Sequence, residues 1–299
     1  MTKCKGCGVT LQNIDENGIG YSEKLTNKLC ERCFKIIHYN YHDEGKYINN
    51  IDICNGINQK DTFNFFMCDI FSLNKSTIEL YEKIHDPKVF VLTKADIIPI
   101  NISYEKLVSR IKNSYNLDNV ILCSIKNNAG IDDIRHLINE HKNVLFCGPT
   151  SSGKSSLINF LFDYELTTSV YKNTTQEFIT LETDGVTLVD APGFICDVIT
   201  NKSRLIVPKT MIINKDYELV IDDVVISFDR EVHITLFFPK VIEIITRKKR
   251  ENLANCLEIK SYQDMTIKNI GFIYFKNECK VYIDNIDDIF IRDSVVGGS

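Results

Sequence analysis

Gly148–Ser155 reads GPTSSGKS, the most informative segment of the chain for predicting its fold. It matches the pattern G-x-x-x-x-G-K-[ST], in which glycines let the backbone turn so that successive amide N–H groups point at a phosphate. The strand-like run VLFC precedes it and the helix-like run SSLINFLF follows it. Because a helix N-terminus also favours an anion, this context predicts a phosphate-binding loop rather than a chance glycine turn.

The loop predicts a set of nucleotide contacts. Lys154 can reach the β- and γ-phosphates, and the hydroxyl of Ser155 can ligate Mg²⁺. The other loop residues expected to line the nucleotide are Thr150, Ser151, Ser152, Gly153 and Ser156.

A second phosphate-side motif, DAPG at Asp190–Gly193, follows the strand-like run VTLV. Its aspartate can hold a magnesium-bound water, and its last amide can meet a γ-phosphate. In the intervening segment, Thr175 is expected to close on Mg²⁺ when a γ-phosphate is present. Thr174 is an alternative, and so is an ordinary solvated loop. The predicted catalytic residues are Lys154, Ser155, Thr175, Asp190 and Gly193.

Two short motifs predict which base is bound. Thr93–Asp96 reads TKAD after the run KVFVL, and Ser124–Lys126 reads SIK at the end of VILCS. Asp96 can accept from the two donors that guanine presents and adenine lacks, while the aliphatic part of Lys94 can lie along the base. The backbone N–H of Ile125 can donate to guanine O6. Each motif is weak alone, but together they predict GTP and GDP as ligands. The base-site residues are Thr93, Lys94, Asp96, Ser124, Ile125 and Lys126.

Residues 50 to 200 alternate β-rich runs with amphipathic stretches. This alternation predicts an α/β fold with a parallel sheet covered on both faces. From residue 204 onward, β-branched and apolar runs predict a separate, mostly β domain. The predicted strands are Phe63–Asp69, Lys88–Leu92, Val120–Ser124, Val144–Cys147 and Val186–Asp190, and the predicted helices are Tyr104–Tyr115 and Ile131–His141.

The N-terminal residues contain two CxxC pairs. Each pair can supply two thiolates to one tetrahedral ion, which predicts a structural Zn²⁺ site. Residues 1–48 have few apolar runs from which to build a core, so a bound metal is the expected source of folding free energy. The predicted ligands are Cys4, Cys7, Cys30 and Cys33.

The chain has 299 residues and a formal net charge of −5, so any contact with nucleic acid must come from local basic patches. The sharpest patch is RKKR at Arg247–Arg250, which can contact phosphates or remain solvated. No run reaches the ~18 apolar residues needed to span a bilayer. Because the start also lacks a signal-peptide core, we expect a cytoplasmic protein with no membrane partner, and no DNA contact is expected.

The order of the motifs along the chain is unusual. Ordinary small GTPases place the phosphate loop first and the base motifs last, whereas here the order is TKAD, SIK, GPTSSGKS, TT and DAPG. With this order and the N-terminal segments CKGCG and CERCF, the chain resembles the circularly permuted GTPases, most closely the YqeH family, over nearly its whole length.

The resemblance implies a Ras-like core with a shuffled chain order that hydrolyses GTP to GDP and phosphate. It also implies a role in assembling the small ribosomal subunit, with that subunit or its RNA as partner. The expected domains are a zinc-binding module at 1–48, a permuted P-loop GTPase domain at 49–203, and a β-rich C-terminal domain at 204–299, for which the resemblance implies RNA contact.

Three positions depart from the family pattern. Thr93 replaces the usual Asn, which keeps an ATP-dependent kinase or ATPase as an alternative. Ser151 replaces the Asn of cation-dependent members and leaves potassium dependence open. Phe194 replaces a water-orienting Gln, so slow intrinsic hydrolysis is expected unless a partner supplies the missing group; the side chain can equally be packed in the core. A non-catalytic GTP sensor or RNA-binding protein is a further alternative.

Overall fold

A computed structural model describes residues 2, 4, 10–16, 18, 20–31, 34, 49–98, 103–162, 178–195, 208–250, 253–267, 270–287 and 289–297. The chain divides into two compact units, residues 1–95 with 119–196 and residues 96–118 with 197–299. In the ranges described, no helix combines the length and apolar character that crossing a membrane requires.

A six-stranded sheet with the order β3-β2-β1-β4-β6-β5 forms the centre of the first unit. Its strands are β1 (Phe63–Asp69), β2 (Lys88–Thr93), β3 (Val120–Leu122), β4 (Asn143–Cys147), β5 (Ile179–Thr183) and β6 (Val186–Asp190). β1, β2, β3, β4 and β6 pair in parallel. They match the predicted strands to within two residues.

The predicted parallel sheet has one further strand that was not predicted, and this strand is antiparallel. β5 pairs antiparallel with β6, because the turn at Asp184 and Gly185 returns the chain directly as a hairpin. Both turn residues have positive φ, 48° and 75°, the conformation that a two-residue Asp-Gly hairpin turn requires.

Helices of the first unit are α1 (Asn50–Asn58), α2 (Lys75–Glu82), α4 (Ile131–His141) and α5 (Lys154–Phe162), and α3 (Tyr104–Tyr115) belongs to the second unit. Helices α3 and α4 have the predicted bounds, and α5 contains the helix predicted for the run SSLINFLF. Gly130 precedes α4 with a φ of 66°, and a Cβ at this position would lie 2.2 Å from the carbonyl oxygen of Leu122. Only glycine fits this entry to the helix.

The centre of the sheet is apolar on both faces, since every residue of β1 is buried. Phe65 stacks on Phe146 with ring centroids 4.8 Å apart. The next residue, Phe66, stacks instead on Phe90 and Phe194 at 5.7 and 5.9 Å. Burial on both sides explains why apolar side chains occur at neighbouring positions of the strand rather than alternating with exposed ones.

The second unit contains two five-stranded antiparallel sheets, with the orders β16-β13-β14-β10-β7 and β11-β8-β9-β15-β12. Apolar side chains of both sheets contribute to one core, which confirms the predicted β-rich C-terminal region. The strands are β7 (Lys209–Ile213), β8 (Tyr217–Ile221), β9 (Val224–Phe228), β10 (Val232–Phe237), β11 (Ile244–Lys248), β12 (Asn255–Ile259), β13 (Gln263–Ile267), β14 (Gly271–Phe275), β15 (Cys279–Ile283) and β16 (Ile289–Asp293).

Candidate nucleotide site

The phosphate loop runs from the end of β4 to the start of α5. Gly148 has a φ of 144°, and a Cβ there would lie 2.0 Å from the carbonyl oxygen of Met67 in β1. Gly153 has a φ of 90° and Ser151 a left-handed φ of 65°. The first glycine is therefore required by close approach of a neighbouring strand and the second by its own backbone conformation.

Main-chain hydrogen bonds join the DAPG motif to the phosphate loop. The N–H of Thr150 donates to the carbonyl oxygen of Phe194 at 3.2 Å, and the N–H of Phe194 donates to the carbonyl oxygen of Gly148 at 3.0 Å. A Cβ on Gly193 would lie 2.6 Å from Cγ2 of Thr150, so a larger residue here would displace the Thr150 side chain. The two phosphate-side motifs thus form one continuous backbone surface.

Lys154 and Asp190 form a buried ion pair between Nζ and Oδ1. The two residues are 7% and 1% exposed. In a buried ion pair each charge compensates the other, because removing one residue leaves the opposite charge buried without a partner. The lysine predicted to meet the phosphates and the carboxylate predicted to act on Mg²⁺ therefore lie side by side.

Side chains of the loop and of the first turn of α5 differ in burial. Ser155 and Ser156 are half-buried. Ser152 is 1% exposed, and its Oγ has no hydrogen-bond partner within the described part of the chain. A buried hydroxyl without a partner costs free energy, so a ligand oxygen at this position would be stabilising.

The first base motif lies against the phosphate loop. Thr93 Oγ1 donates to the carbonyl oxygen of Ser152 at 2.6 Å, across 59 residues of sequence. The N–H of Ala95 donates to the carbonyl oxygen of Cys123 at 3.1 Å, which ties the same motif to the SIK segment. Asp96 follows directly in the chain, half-buried in the short 3-10 helix Ala95–Ile97.

The SIK segment forms a tight loop at the end of β3. The N–H of Ser124 donates to the carbonyl oxygen of Ala129 at 3.0 Å, and Ser124 Oγ accepts from the N–H of Lys126 at 3.2 Å. Between them Ile125 is 37% exposed. The loop therefore holds Ile125 between two anchored residues.

Sequence reasoning missed one carboxylate, Asp69. This residue ends β1, is fully buried, and forms an ion pair with Lys94. The signal that would have found it is its place at the carboxyl end of a predicted central strand, the same sheet edge that carries the motifs. Ligands of open α/β sheets bind at that edge.

Phe194 is packed in the core rather than directed at the phosphate side. Its side chain is fully buried and stacks on Phe66 with an interplanar angle of 28°. The core-packing interpretation of this residue is the one that the structure supports. Thr175, the predicted switch threonine, lies outside the described residues.

The cysteines beside the motifs have the character of core residues. Burial raises the pKa of the Cys123 thiol to about 12. Burial also raises the pKa of Cys147, with Lys154 acting in the opposite direction. Both thiols are therefore protonated at neutral pH, and the thiolate form needed for nucleophilic chemistry is absent from these two positions.

The described cysteines of the N-terminal pairs lie close together. Cys4 and Cys30 are 2% and 1% exposed, and the N–H of Cys30 donates to Cys4 Sγ at 3.1 Å. Cys7 and Cys33 lie outside the described residues. Within the parts of the chain that are described, no group of three or more His, Cys, Asp or Glu side chains forms a metal site.

The basic run of the C-terminal region is partly engaged within its own sheet. Arg247 Nε donates to Oε1 of the buried Glu218 at 2.6 Å, and the N–H of Arg250 approaches Oε2 at 3.3 Å. Lys249 lies 5.5 Å from the ring centroid of Tyr282. Arg247 therefore compensates a buried carboxylate, whereas the side chain of Lys248 is exposed.

Comparison with known proteins gives matches that include these motifs. A family described as RsgA GTPase matches residues 69–196, and a family described as 50S ribosome-binding GTPase matches residues 143–259. The chain is 31% identical over 215 residues, 64% of its length, to the Bacillus subtilis protein named uncharacterized protein YqeH. The match spans 59% of that relative's length.

Proposed function

We propose that this chain, which is similar to YqeH and to the RsgA GTPase family, is a circularly permuted GTPase that binds GTP and hydrolyses it to GDP and phosphate. The observation that carries the proposal is the hydrogen bond from Thr93 to Ser152. A phosphate loop alone does not select a base. A base motif fixed to that loop makes one site that can hold both ends of a guanine nucleotide.

The ion pair between Lys154 and Asp190 supports a role in phosphate chemistry. A nucleotide phosphate can replace the carboxylate as the partner of Lys154, which frees Asp190 to hold a water on Mg²⁺. The hydroxyl of Ser155 and, by its position in the sequence, Thr175 are the proposed direct ligands. Mg²⁺, when bound, neutralises charge that develops on the phosphates. Lys154 and the N–H of Gly193 stabilise the same charge from the protein side.

Guanine selection is assigned to the two base motifs. Asp96 accepts from the guanine donors, Lys94 lies along the base, and the N–H of Ile125 donates to O6. Asp96→Asn tests this assignment, because it should move preference from guanosine towards xanthosine nucleotides. The readout is competition of GDP, XDP and ADP for a fluorescent nucleotide, with the exposed Asp133→Asn as matched control. Unchanged preference, or ADP competing as well as GDP, would remove the guanine assignment.

Hydrolysis is tested by single-turnover conversion of labelled GTP, alone and with purified ribosomal subunits. We expect slow turnover by the protein alone, because Phe194 is packed and supplies no polar group to orient water. Subunits should accelerate it, and Lys154→Ala should abolish it under both conditions. Binding without turnover in every mixture would instead identify a GTP-sensing protein.

The proposed partner is the small ribosomal subunit or its RNA. This assignment is supported by the resemblance to the YqeH family, whereas one matching family is described as binding the 50S subunit. Sedimentation with each purified subunit under GDP and a GTP analogue decides between them. Association with the small subunit that depends on nucleotide is expected, and exclusive association with the large subunit would overturn the proposal. Such a partner implies a cytoplasmic location.

The N-terminal cysteines are proposed to hold a structural Zn²⁺. The fit rests on two cysteines from different CxxC pairs, Cys4 and Cys30, that are buried and joined by an N–H donating to sulfur. Zinc thiolates supply folding free energy rather than an open coordination site. Cys4→Ser should lower the zinc content of the purified protein, while the exposed Cys256→Ser should leave it unchanged. Equal zinc in all forms, or none in wild type, would contradict the assignment.

A further inference from the structure

Asp69 ends the central strand between the two motif-bearing strands. β1 pairs with β2 on one side and with β4 on the other, and Asp69 is in register with Thr93, the first residue of TKAD. Its carboxylate is fully buried. A buried carboxylate is costly unless its oxygens are bonded, so its partners indicate what the residue does.

The two carboxylate oxygens of Asp69 have separate roles. Oδ1 accepts from the N–H of Phe71 at 3.0 Å and from the N–H of Ser72 at 2.8 Å, which shapes the turn after β1. Oδ2 pairs with Nζ of Lys94. Oδ1 therefore stabilises the turn after β1, and Oδ2 binds the lysine of the TKAD motif.

Lys94 is fixed at both ends by these contacts. Its backbone has a left-handed φ of 62°, while its ammonium pairs with Asp69 and lies 5.5 Å from the ring centroid of Phe71. The side chain is still 35% exposed, so these contacts do not bury it. A lysine held this way has lost its rotamer freedom before a base arrives.

We propose that Asp69 positions Lys94 for guanine binding, so that base affinity depends on a carboxylate outside the nucleotide motifs. The inference rests on the proposed GTP site. It follows from preorganisation, since ordering a flexible side chain in advance removes that cost from the binding step. Asp69 touches no part of the nucleotide in this assignment and is a positioning residue.

Asp69→Asn is the decisive variant, because asparagine keeps an oxygen for the Phe71 and Ser72 amides but removes the charge that holds Lys94. We expect GDP affinity to fall about tenfold, a typical coupling for contacting residues, while competition by inorganic pyrophosphate stays unchanged. The exposed Asp61→Asn is the matched control. Equal losses for GDP and pyrophosphate would show a merely structural role and overturn the proposal.

A double-mutant cycle isolates the pair. In a Lys94→Met background, Asp69→Asn should change GDP affinity by less than about twofold; an undiminished effect there contradicts the proposal. If Asp69→Asn does not fold, Lys94→Arg, which can still pair with Asp69, should bind GDP better than Lys94→Met, and equal binding overturns the idea. Wild-type protein that fails to bind GDP would sink the proposed function as well, whereas wild-type binding with an unchanged Asp69→Asn sinks this inference alone.

Discussion

Both compact units bury an ion pair, and the two pairs differ in their place within a sheet. In the first unit, Lys154 and Asp190 meet where β6 ends and α5 begins, beside the glycine turns of the phosphate loop. In the second unit, Asp264 and Arg292 face each other within adjacent strands, β13 and β16. Arg292 Nε lies 3.4 Å from Asp264 Oδ2.

The second pair, here named the closed pair, is buried within its own unit, and its Asp264 Oδ1 has no hydrogen-bond partner among the described residues. The N–H of Val295 donates to Asp264 Oδ2 at 3.0 Å, and the guanidinium of Arg292 lies 5.0 Å from the ring centroid of Phe272. Charge burial alone therefore does not mark a functional site. A pair at the carboxyl ends of parallel strands lies where ligands bind, whereas a pair within antiparallel strands serves packing.

The largest effect should come from breaking the closed pair. Arg292→Met leaves Asp264 buried without its cation, which is expected to cost about 3–5 kcal/mol of unfolding free energy. Urea denaturation followed by far-ultraviolet circular dichroism measures it. The exposed Arg230→Met is the control and should unfold like wild type. A fully stable Arg292→Met would show that the pair contributes nothing to the second unit.

Breaking the ion pair of Lys154 and Asp190 should instead affect GTP hydrolysis. Lys154→Met removes the cation that stabilises the phosphates, so single-turnover GTP hydrolysis should fall by about 100-fold or more. Lys88→Met is the matched control from the same sheet, because Lys88 Nζ bonds the carbonyl oxygens of Tyr81 and Ile84. Hydrolysis by that variant should be unchanged. Similar losses in both variants would show that the effect is not specific to Lys154, since Lys88 is only half-buried and lies outside the nucleotide motifs.

The closed pair should also leave a pH signature. Burial raises the pKa of Asp264 to about 6, with Arg292 and the Val295 N–H acting in the opposite direction. Since the unfolded carboxyl titrates near 3.8, the folded state binds this proton more tightly. The stabilisation from Asp264 is therefore complete below that lower value and is lost as pH rises through about 6, with a slope near 1.4 kcal/mol per pH unit in that window.

Asp264→Asn tests this pH dependence, because the asparagine side chain does not titrate between these pH values. Urea denaturation at several pH values between about 4 and 7 should show wild type losing stability relative to the variant as the pH rises. The exposed Asp223→Asn should follow the wild-type curve. Parallel curves for wild type and Asp264→Asn would exclude the titration.

The smallest effect concerns the bond between the two nucleotide motifs. Thr93→Val keeps the shape of the side chain but removes the hydroxyl that donates to Ser152. This bond holds the two motifs together before the nucleotide binds, so losing at most about 1 kcal/mol of preorganisation should lower GDP affinity by up to about fivefold. Thr93→Ser retains the hydroxyl and should bind nearly as wild type does, measured by titration with fluorescent GDP. Equal loss in Val and Ser would assign the effect to the methyl group.

Much of the first unit could be predicted because its determinants are local. GPTSSGKS requires glycine turns that the structure has at Gly148 and Gly153. The 3.6-residue apolar period of α3 and α4 predicts both helices with their bounds. The β5–β6 hairpin was missed although Asp184 and Gly185 form a typical two-residue turn, because β5 is an edge strand with alternating exposure and no continuous apolar run.

The motifs, their permuted order and the alternation of strands and helices could be read from the residues alone, since each motif and each element depends on one short window. Which distant side chains meet could be seen only in the folded chain. The bonds of Thr93 with Ser152, Asp69 with Lys94 and Asp264 with Arg292 depend on strand order and register. The alternation of side chains along a strand indicates which face of the sheet each residue occupies, but it does not indicate which residue of which other strand lies beside it.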